Sequence, residues 1–198
     1  MNDRTRLKAA LLQNSTASSD FDLNPDVVLP AGRKLRPAGV LVPVIETSDG
    51  AEVLLTKRSS RLKHHPGQIA FPGGKQDDGD ADVTAAALRE AEEEVGLPRS
   101  HVEVLGTLPT HETVTGFLMT PVIGWIDRDF DIRPEPGEVA EVFRIPLAHV
   151  SDAGLFTVQS RRWRGTRRHY YTVPFGPYYI WGATARILRG LAQRMEAV

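Results

Sequence analysis

The chain contains no cysteine among its 198 residues. That absence excludes disulfide bonds, thiolate nucleophiles and zinc sites built on cysteine. Long apolar runs are also missing, and no segment approaches the ~18 apolar residues that a membrane-spanning helix needs. The first residues are too polar for a secretory leader. Together these absences predict a cytoplasmic protein that has no membrane partner.

An excess of charge of either sign is missing as well. The formal net charge is −1 at pH 7, so no overall field draws the chain to nucleic acid or to an anionic membrane. A chain of this length and ordinary apolar content can bury one substantial core. Any attraction to phosphate groups therefore has to come from local patches.

The most informative segment is acidic and lies near the middle of the chain. Residues 89–97 read Arg-Glu-Ala-Glu-Glu-Glu-Val-Gly-Leu and place four carboxylates within five consecutive positions. Strong helix formers fill residues 84–95, where apolar residues recur at helical spacing. Glu90, Glu93 and Glu94 then share the opposite face, where like charges repel. Divalent cations such as Mg²⁺ or Mn²⁺ would neutralise that face, because they take oxygen ligands.

This segment and the glycine before it resemble the signature of the Nudix hydrolases, Gly-x5-Glu-x7-Arg-Glu-U-x-Glu-Glu-x-Gly-U, in which U is aliphatic. From Arg89 onward the match holds at every position if Ala91 counts as the aliphatic residue. The first half differs, since Gly74 and Arg89 lie fifteen residues apart instead of fourteen. The acidic residue between them is Asp80 or Asp82 instead of Glu.

The residues just upstream are similar to one branch of that family. Leu-Leu-Thr-Lys-Arg-Ser at 54–59 and Phe-Pro-Gly-Gly at 71–74 resemble the motif of the coenzyme A pyrophosphatases, a branch that tends to carry the longer loop. Looser similarity extends to residues 138–143 and 180–184. The resemblance implies an α/β/α sandwich with a mixed β-sheet. It also implies hydrolysis of the diphosphate bond of coenzyme A or its thioesters, giving 3′,5′-ADP and 4′-phosphopantetheine.

The resemblance assigns metal ligands to the acidic helix. Glu90 and Glu94, one helical turn apart, are the expected ligands of Mg²⁺ or Mn²⁺. Glu93 is expected to bind a second ion or to help deprotonate the attacking water, and the Gly74 carbonyl is a further candidate ligand. Bound metals act as Lewis acids and lower the pKa of coordinated water. Because three neighbouring acids titrate as a coupled set, the sequence does not assign one general base.

Further roles follow from the same resemblance. Arg89 is expected to brace one of the glutamates through a charge-assisted hydrogen bond. A remote loop is expected to supply another catalytic acid, with Glu138 as first choice and Glu141 as second. The substrate-binding candidates are Lys57, Arg58, Arg61 and Gln68. The expected partner is a small nucleotide of the coenzyme A type, not nucleic acid, and the family implies a homodimer.

One strongly basic stretch stands apart from these motifs. It comprises Arg161, Arg162, Arg164, Arg167, Arg168 and His169, with Trp163 and Tyr170 among them. It is either a solvated hairpin, a landing site for the 3′-phosphate and adenine of a substrate, or a weak nucleic-acid patch. His64 and His65 are expected to have a loop role instead of binding zinc, because no third ligand accompanies them.

Periodicity and turn residues predict the elements along the chain. Asp3 is expected to cap a helix that reaches about Gln13, and an arm then leads to the hydrolase domain, so that the division is 1–37 and 38–198. Strands are predicted at 39–45, 52–56, 102–106, 119–126, 139–144 and 156–158, with a hairpin at 161–173 and a helix at 180–195. Strands interrupted by helices favour a mixed sheet covered on both faces.

Three alternatives stay open. The first is a Nudix hydrolase that acts on ADP-ribose, dinucleotides or capped RNA. The second is a catalytically silent module that binds nucleotides or RNA through the arginine hairpin, although a degenerate member should have lost some of the glutamates. The third is a structural partner protein, for which the sequence offers no positive feature.

Overall fold

The computed structural model describes residues 1–30, 32–163 and 165–198, apart from the side chain of Trp163. Its helices are α1 (Asp3–Leu11), α2 (Val83–Val95), α3 (Leu147–Val150) and α4 (Ala183–Glu196). Its strands are β1 (Ser18–Ser19), β2 (Arg36–Thr47), β3 (Gly50–Arg58), β4 (Ile69–Ala70), β5 (Gly73–Lys75), β6 (Glu103–Thr107), β7 (His111–Glu112), β8 (Phe117–Ile126), β9 (Val139–Pro146), β10 (Thr157–Trp163) and β11 (Thr166–Thr172).

Strand β2 is the centre of a mixed sheet. It runs parallel to β8 over most of its length and antiparallel to two strands, with β5 along its first half and β3 along its second. Strand β9 extends the sheet beyond β3, and β6 and β7 pair with β8. Within the described residues, β10 and β11 form a separate antiparallel hairpin. The fold is therefore the predicted α/β/α sandwich with a mixed sheet.

The central strand is apolar on both faces because each face packs against its own core. Val40, Val42 and Val44 belong to a core that includes residues of α1, α3 and α4. Leu41 and Ile45 point the other way and pack in a second core with residues of α2. Successive side chains of a strand alternate between faces, so a strand buried on both sides reads as a continuous apolar run. This confirms the strand predicted at residues 39–45.

Helix α2 lies directly on the central strand because position 39 carries no side chain. A Cβ atom added to Gly39 would lie 1.9 Å from the carbonyl oxygen of Val83 and 2.9 Å from the amide nitrogen of Ala87. Real Cβ atoms do not approach backbone atoms so closely. The contact fixes the height of α2 above the sheet, and with it the position of the acidic side chains.

The amino-terminal segment is tied to the rest of the fold. Strand β1 pairs in parallel with β7, and the buried ring of His111 lies between Ser18 Oγ at 2.9 Å and Asp20 Oδ1 at 3.2 Å. Further along the arm, the amide of Asn24 exchanges two hydrogen bonds with the backbone of His169. No helix among the described residues is long and apolar enough to cross a membrane.

Most of the predicted longer elements are present, with shifted ends. The predicted cap of α1 is wrong, because Asn2 and not Asp3 accepts the hydrogen bond from the Thr5 amide. Helix α4 begins at Ala183 and not at residue 180, because Gly182 has a φ of +66° and Trp181 bridges to Thr172. The short strands β1, β4, β5 and β7 have no counterpart among the predicted elements.

Candidate metal and active site

Helix α2 is capped by Asp82 at its N-terminus and by Gly96 at its C-terminus. The carboxylate of Asp82 accepts a hydrogen bond from the amide of Ala85 at 2.8 Å, which satisfies a free N–H of the first turn. Gly96 ends the helix in the left-handed conformation, with φ at +74°. Between these caps, the buried positions Ala87 and Ala91 face the sheet.

Glu94 is a buried carboxylate, although the helical spacing places it on the face opposite the apolar residues. Its side chain lies against β5, where Oε2 accepts a hydrogen bond from the Gly73 amide at 3.2 Å, and the residue is only 5% exposed. Burial raises the pKa of Glu94 to about 8, the Gly73 hydrogen bond opposes that rise, and the charge of Glu90 adds to it. A bound cation would stabilise the charged form of this buried carboxylate.

Glu90 lies one turn earlier, against the other glycine of the pair. Burial raises its pKa, and Arg89 acts in the opposite direction. A Cβ atom added to Gly74 would lie 2.4 Å from Glu90 Oε1, so the missing side chain makes room for the carboxylate. The two glycines therefore bring β5 against the two predicted metal ligands, one glycine for each.

Replacing Gly74 with Ala is expected to lower activity about 10- to 100-fold without unfolding the protein. The added methyl group displaces the mobile end of the Glu90 side chain, and a shift of about 1 Å at a reacting centre can cost ~100-fold in rate. The measurement is kcat alongside thermal melting, with Gly79→Ala as control because a Cβ at Gly79 meets no atom within 4 Å. Unchanged kcat in Gly74→Ala would contradict the assignment of Glu90.

Arg89 joins the loop to the helix. Its Nε and Nη2 atoms donate to the two carboxylate oxygens of Asp80 at 3.0 and 2.9 Å, and Nη1 donates to Glu90 at 3.0 Å and Glu93 at 3.1 Å. These hydrogen bonds from Arg89 lower the pKa of Asp80 to about 2. The structure thus distinguishes the two loop acids left open by the sequence, because Asp80 pairs with the arginine whereas Asp82 caps the helix.

The remaining predicted acids differ in their surroundings. The side chain of Glu93 is 59% exposed and contacts Arg89. Glu138 is exposed, and its charge helps to raise the pKa values of both Glu90 and Glu94. Glu141 instead accepts a hydrogen bond from the Tyr178 hydroxyl. The charge of Glu138 thus acts on both glutamates, and the choice between Glu138 and Glu141 as the additional acid stays a prediction.

Arg58 is the residue of the upstream motif that interacts electrostatically with Glu94. That residue is partly buried, and its charge acts against the rise in the pKa of Glu94. The Arg58 amide donates to the Gln68 carbonyl at 2.9 Å, which closes the loop between β3 and β4. Lys57 and Arg61 are exposed to solvent. Of the four substrate-binding candidates, Arg58 is the one whose charge acts on Glu94, and the Gln68 carbonyl accepts a hydrogen bond from its backbone.

The donor set suits a hard divalent cation. Carboxylate oxygens are the ligands that Mg²⁺ and Mn²⁺ prefer, and burial leaves Glu90 and Glu94 with raised pKa values. Among the described residues, no three histidine, aspartate or glutamate side chains converge on one point. Mg²⁺ commonly binds through one or two carboxylates and completes its shell with water and substrate phosphates. The residues fit such an ion, held by Glu90 and Glu94.

Two arginines of the basic hairpin make cation–π contacts with aromatic rings of the same chain. The guanidinium of Arg161 lies 4.1 Å from the ring centre of Trp181, and Tyr170 meets the same ring edge-on at 5.1 Å. Arg168 lies 5.9 Å from the ring centre of Phe21. Arg164, which belongs to this basic stretch in the sequence, falls outside the described residues. The hairpin is therefore a group of paired cations and rings as well as a charged surface.

The sequence also matches known proteins. Residues 35–171 match the model of the NUDIX domain. The protein named Uncharacterized Nudix hydrolase NudL from Shigella boydii serotype 4 (strain Sb227) is 46% identical over 157 residues, which cover 79% of this chain and 81% of that protein. The protein of the same name from Escherichia coli O1:K1 / APEC matches with the same identity and coverage.

Solved structures resemble the chain in fold. The MutT protein from Methanosarcina mazei Go1 aligns with a TM-score of 0.51 and 16% identity, covering 85% of this chain and 97% of that one. A MutT/nudix family protein from Enterococcus faecalis aligns with a TM-score of 0.51 and 15% identity, covering 100% of this chain and 75% of that one. Because the family model covers well over half of the chain and the sequence relatives are 46% identical, the chain belongs to the Nudix hydrolase family.

Proposed function

We propose that this Nudix hydrolase cleaves the diphosphate bond of coenzyme A or its thioesters and releases 3′,5′-ADP and 4′-phosphopantetheine. The observation that carries the proposal is the junction between the upstream motif and the acidic helix. The motif ends at the glycine pair, where the Gly73 amide holds the Glu94 carboxylate, and its Arg58 lies close enough for its charge to act on Glu94. The residues similar to the coenzyme A branch thus adjoin the residues expected to bind metal.

Different residues of the site are proposed to bind the metal, to position the glutamates and to accept a proton. A bound Mg²⁺ or Mn²⁺, held by Glu90 and Glu94 with the Gly74 carbonyl as a further candidate ligand, would supply Lewis acidity and lower the pKa of a coordinated water. Arg89 holds Glu90 and Glu93 in place through hydrogen bonds. Glu93 is open to solvent, and the charge of Glu138 acts on both Glu90 and Glu94, so each is a candidate for accepting a proton from the attacking water.

A cluster beside the motif supports a substrate that carries a 3′-phosphate and a base. This cluster, called here the Trp181 cluster, consists of Arg161, Tyr170 and Trp181. It adjoins Gln68, whose Nε2 lies 3.6 Å from the position of a Cβ on Gly182, the residue after Trp181. Aromatic rings stack on bases and arginine binds phosphate, so the cluster combines the two groups that 3′-phosphoadenosine requires.

Two other functions compete with this proposal. A Nudix hydrolase of ADP-ribose, dinucleotides or capped RNA would use the same acidic helix and differ in the substrate contacts. A silent module that binds nucleotide or RNA would need only the basic hairpin. The intact set of glutamates and the raised pKa of the buried Glu94 favour an enzyme over that module. The homodimer implied by the family stays a prediction, which sedimentation would test.

A substrate panel with Mn²⁺ tests the proposal. Coenzyme A, acetyl coenzyme A, 3′-dephospho-coenzyme A, ADP-ribose, a dinucleoside polyphosphate and capped RNA are incubated with enzyme, and products are identified by mass spectrometry. We expect cleavage of coenzyme A with a kcat/KM about 10-fold above that of the dephospho form, as one lost charge-assisted hydrogen bond predicts. Turnover of another compound with no turnover of any coenzyme A species would overturn the proposal.

A further inference from the structure

A cavity lies on the α4 side of the sheet, away from the acidic helix. Its volume is about 250 Å³, and its walls come from α4, from the start of the arm and from the segment around Leu108. Arg194 of α4 and Ser15 of the arm both line it. None of the residues assigned above to metal or substrate lies in its described walls. The cavity is therefore separate from the candidate active site.

Arg194 is a buried cation in this wall. The residue is 7% exposed, and its Nε and Nη2 atoms both donate to Ser15 Oγ, the first at 2.9 Å. Its Nη1 atom is buried and has no hydrogen-bond partner among the described residues. Burial lowers the pKa of Arg194, and no described carboxylate opposes that effect. A buried charge without a counter-charge is costly, so its presence points to an anion that binds there.

The other groups in the wall suit the same ligand. Arg186 also lines the cavity, but Asp22 already pairs with it at 2.8 Å. No aspartate or glutamate is among the described lining residues, so no carboxylate side chain there would repel an anion. The uncharged polar lining residues are Gln13, Asn14, Ser15, Thr16, Ser18 and Gln193. Hydroxyl and amide groups of this kind donate hydrogen bonds to oxyanions.

We propose that this cavity binds a small oxyanion of the phosphate class, with the guanidinium of Arg194 as its counter-charge. The planar guanidinium matches the oxygens of a phosphate group better than a point charge does. The volume lies below the ~300–1,000 Å³ of pockets that take drug-sized ligands. The ligand is therefore inorganic phosphate or the phosphate end of a small phosphomonoester, and not a whole dinucleotide. This inference does not depend on the substrate proposed above.

Thermal melting with added phosphate tests the site. The protein is melted in EDTA at constant ionic strength, with inorganic phosphate or glycerol phosphate replacing chloride, so that metal-dependent binding at the acidic helix is removed. We expect the Tm of the unmodified protein to rise with ligand and to saturate. Arg194→Met is expected to need at least about 10-fold more ligand for the same rise, which is the loss of one charge-assisted hydrogen bond. Without ligand this variant is expected to melt at the same or a higher temperature, because methionine removes an uncompensated buried charge.

Two further variants separate the site from other causes. Gly190→Leu adds a side chain in the cavity wall, where a Cβ would meet Arg186 Nη1 at 3.8 Å, and it is expected to weaken the ligand-dependent rise while leaving Arg194 unchanged. Glu94→Gln is expected to keep the full rise, because the acidic helix is not involved. Whichever of the two ligands acts at lower concentration identifies the source of the phosphate group. An equal rise in the unmodified protein and in Arg194→Met, or no rise with either ligand, would overturn the proposal.

Discussion

Replacing Glu94 with Gln is expected to lower kcat about 1,000-fold or more while the protein stays folded. The change keeps the shape of the side chain but removes the charge that would hold the metal ion. A loss of about 1,000-fold corresponds to ~4 kcal/mol of barrier, within the several kcal/mol that a bound metal supplies. Because the Glu94 carboxylate is buried, with a pKa raised to about 8, the neutral amide should not reduce the stability of the metal-free fold.

Glu92→Gln is the matched control on the same helix. Glu92 is exposed and pairs with Arg99 at 2.9 Å, and such surface pairs contribute little to stability. Its replacement is expected to change kcat less than about 2-fold, because this exposed side chain pairs with Arg99 and contributes no ligand. Equal activity in the Glu94 and Glu92 variants would remove the assignment of Glu94 as a metal ligand.

Gly39→Ala is expected to destabilise the protein by about 3 kcal/mol or more. Overpacking between side chains costs ~1–3 kcal/mol, and here the new methyl group meets backbone atoms of α2, which cannot rotate away. In a domain of this size such a loss lowers the Tm by about 6 °C or more. Melting followed by circular dichroism measures it. Activity should fall as well, because the helix that carries the glutamates must move off the sheet.

The exposed loop residue Gly79 supplies the comparison for this substitution. Neither glycine has a positive φ, so alanine strains the backbone at neither position, and the two variants differ in the space around the new methyl group. Gly79→Ala is expected to melt within about 2 °C of the unmodified protein, as surface substitutions usually do. If Gly39→Ala melted at the same temperature as Gly79→Ala, the close packing of α2 on β2 would not be what positions the site.

The acidic helix shows how much of the site follows from local sequence. The spacing of Arg89, Glu90 and Glu94 predicts a helix with acids on one face, because helical period and charge repulsion are local properties. Together with the glycines before the helix, the same spacing predicts a metal-binding role. The burial of Glu94 cannot be predicted in this way, since it depends on β5, a strand of three residues containing two glycines. Such a strand has no periodicity of its own and forms by pairing with β2.

Long-range partners account for the other differences. Asp80 and Asp82 are equivalent in sequence, and the arginine nine residues beyond Asp80 selects it as partner once the loop has closed. Gly39 lies in an ordinary apolar run, and only the approach of α2 gives it a role. At the amino terminus, Asn2 and Asp3 are both good caps, and the amide of Ala51 takes the Asp3 carboxylate as its acceptor. Local sequence preferences therefore predict the helices and longer strands. Tertiary contacts determine which of two similar residues caps a helix or pairs with Arg89.

The most direct test of the central claim is a calorimetric titration of the metal-free protein with Mn²⁺. We expect saturable binding to the unmodified protein, binding at least about 10-fold weaker to Glu94→Gln, and unchanged binding to Glu92→Gln, because only the first variant loses a charged ligand. Equal Mn²⁺ affinity in all three proteins, or no binding to any of them, would contradict the claim that Glu90 and Glu94 of α2 hold the metal ion for diphosphate cleavage.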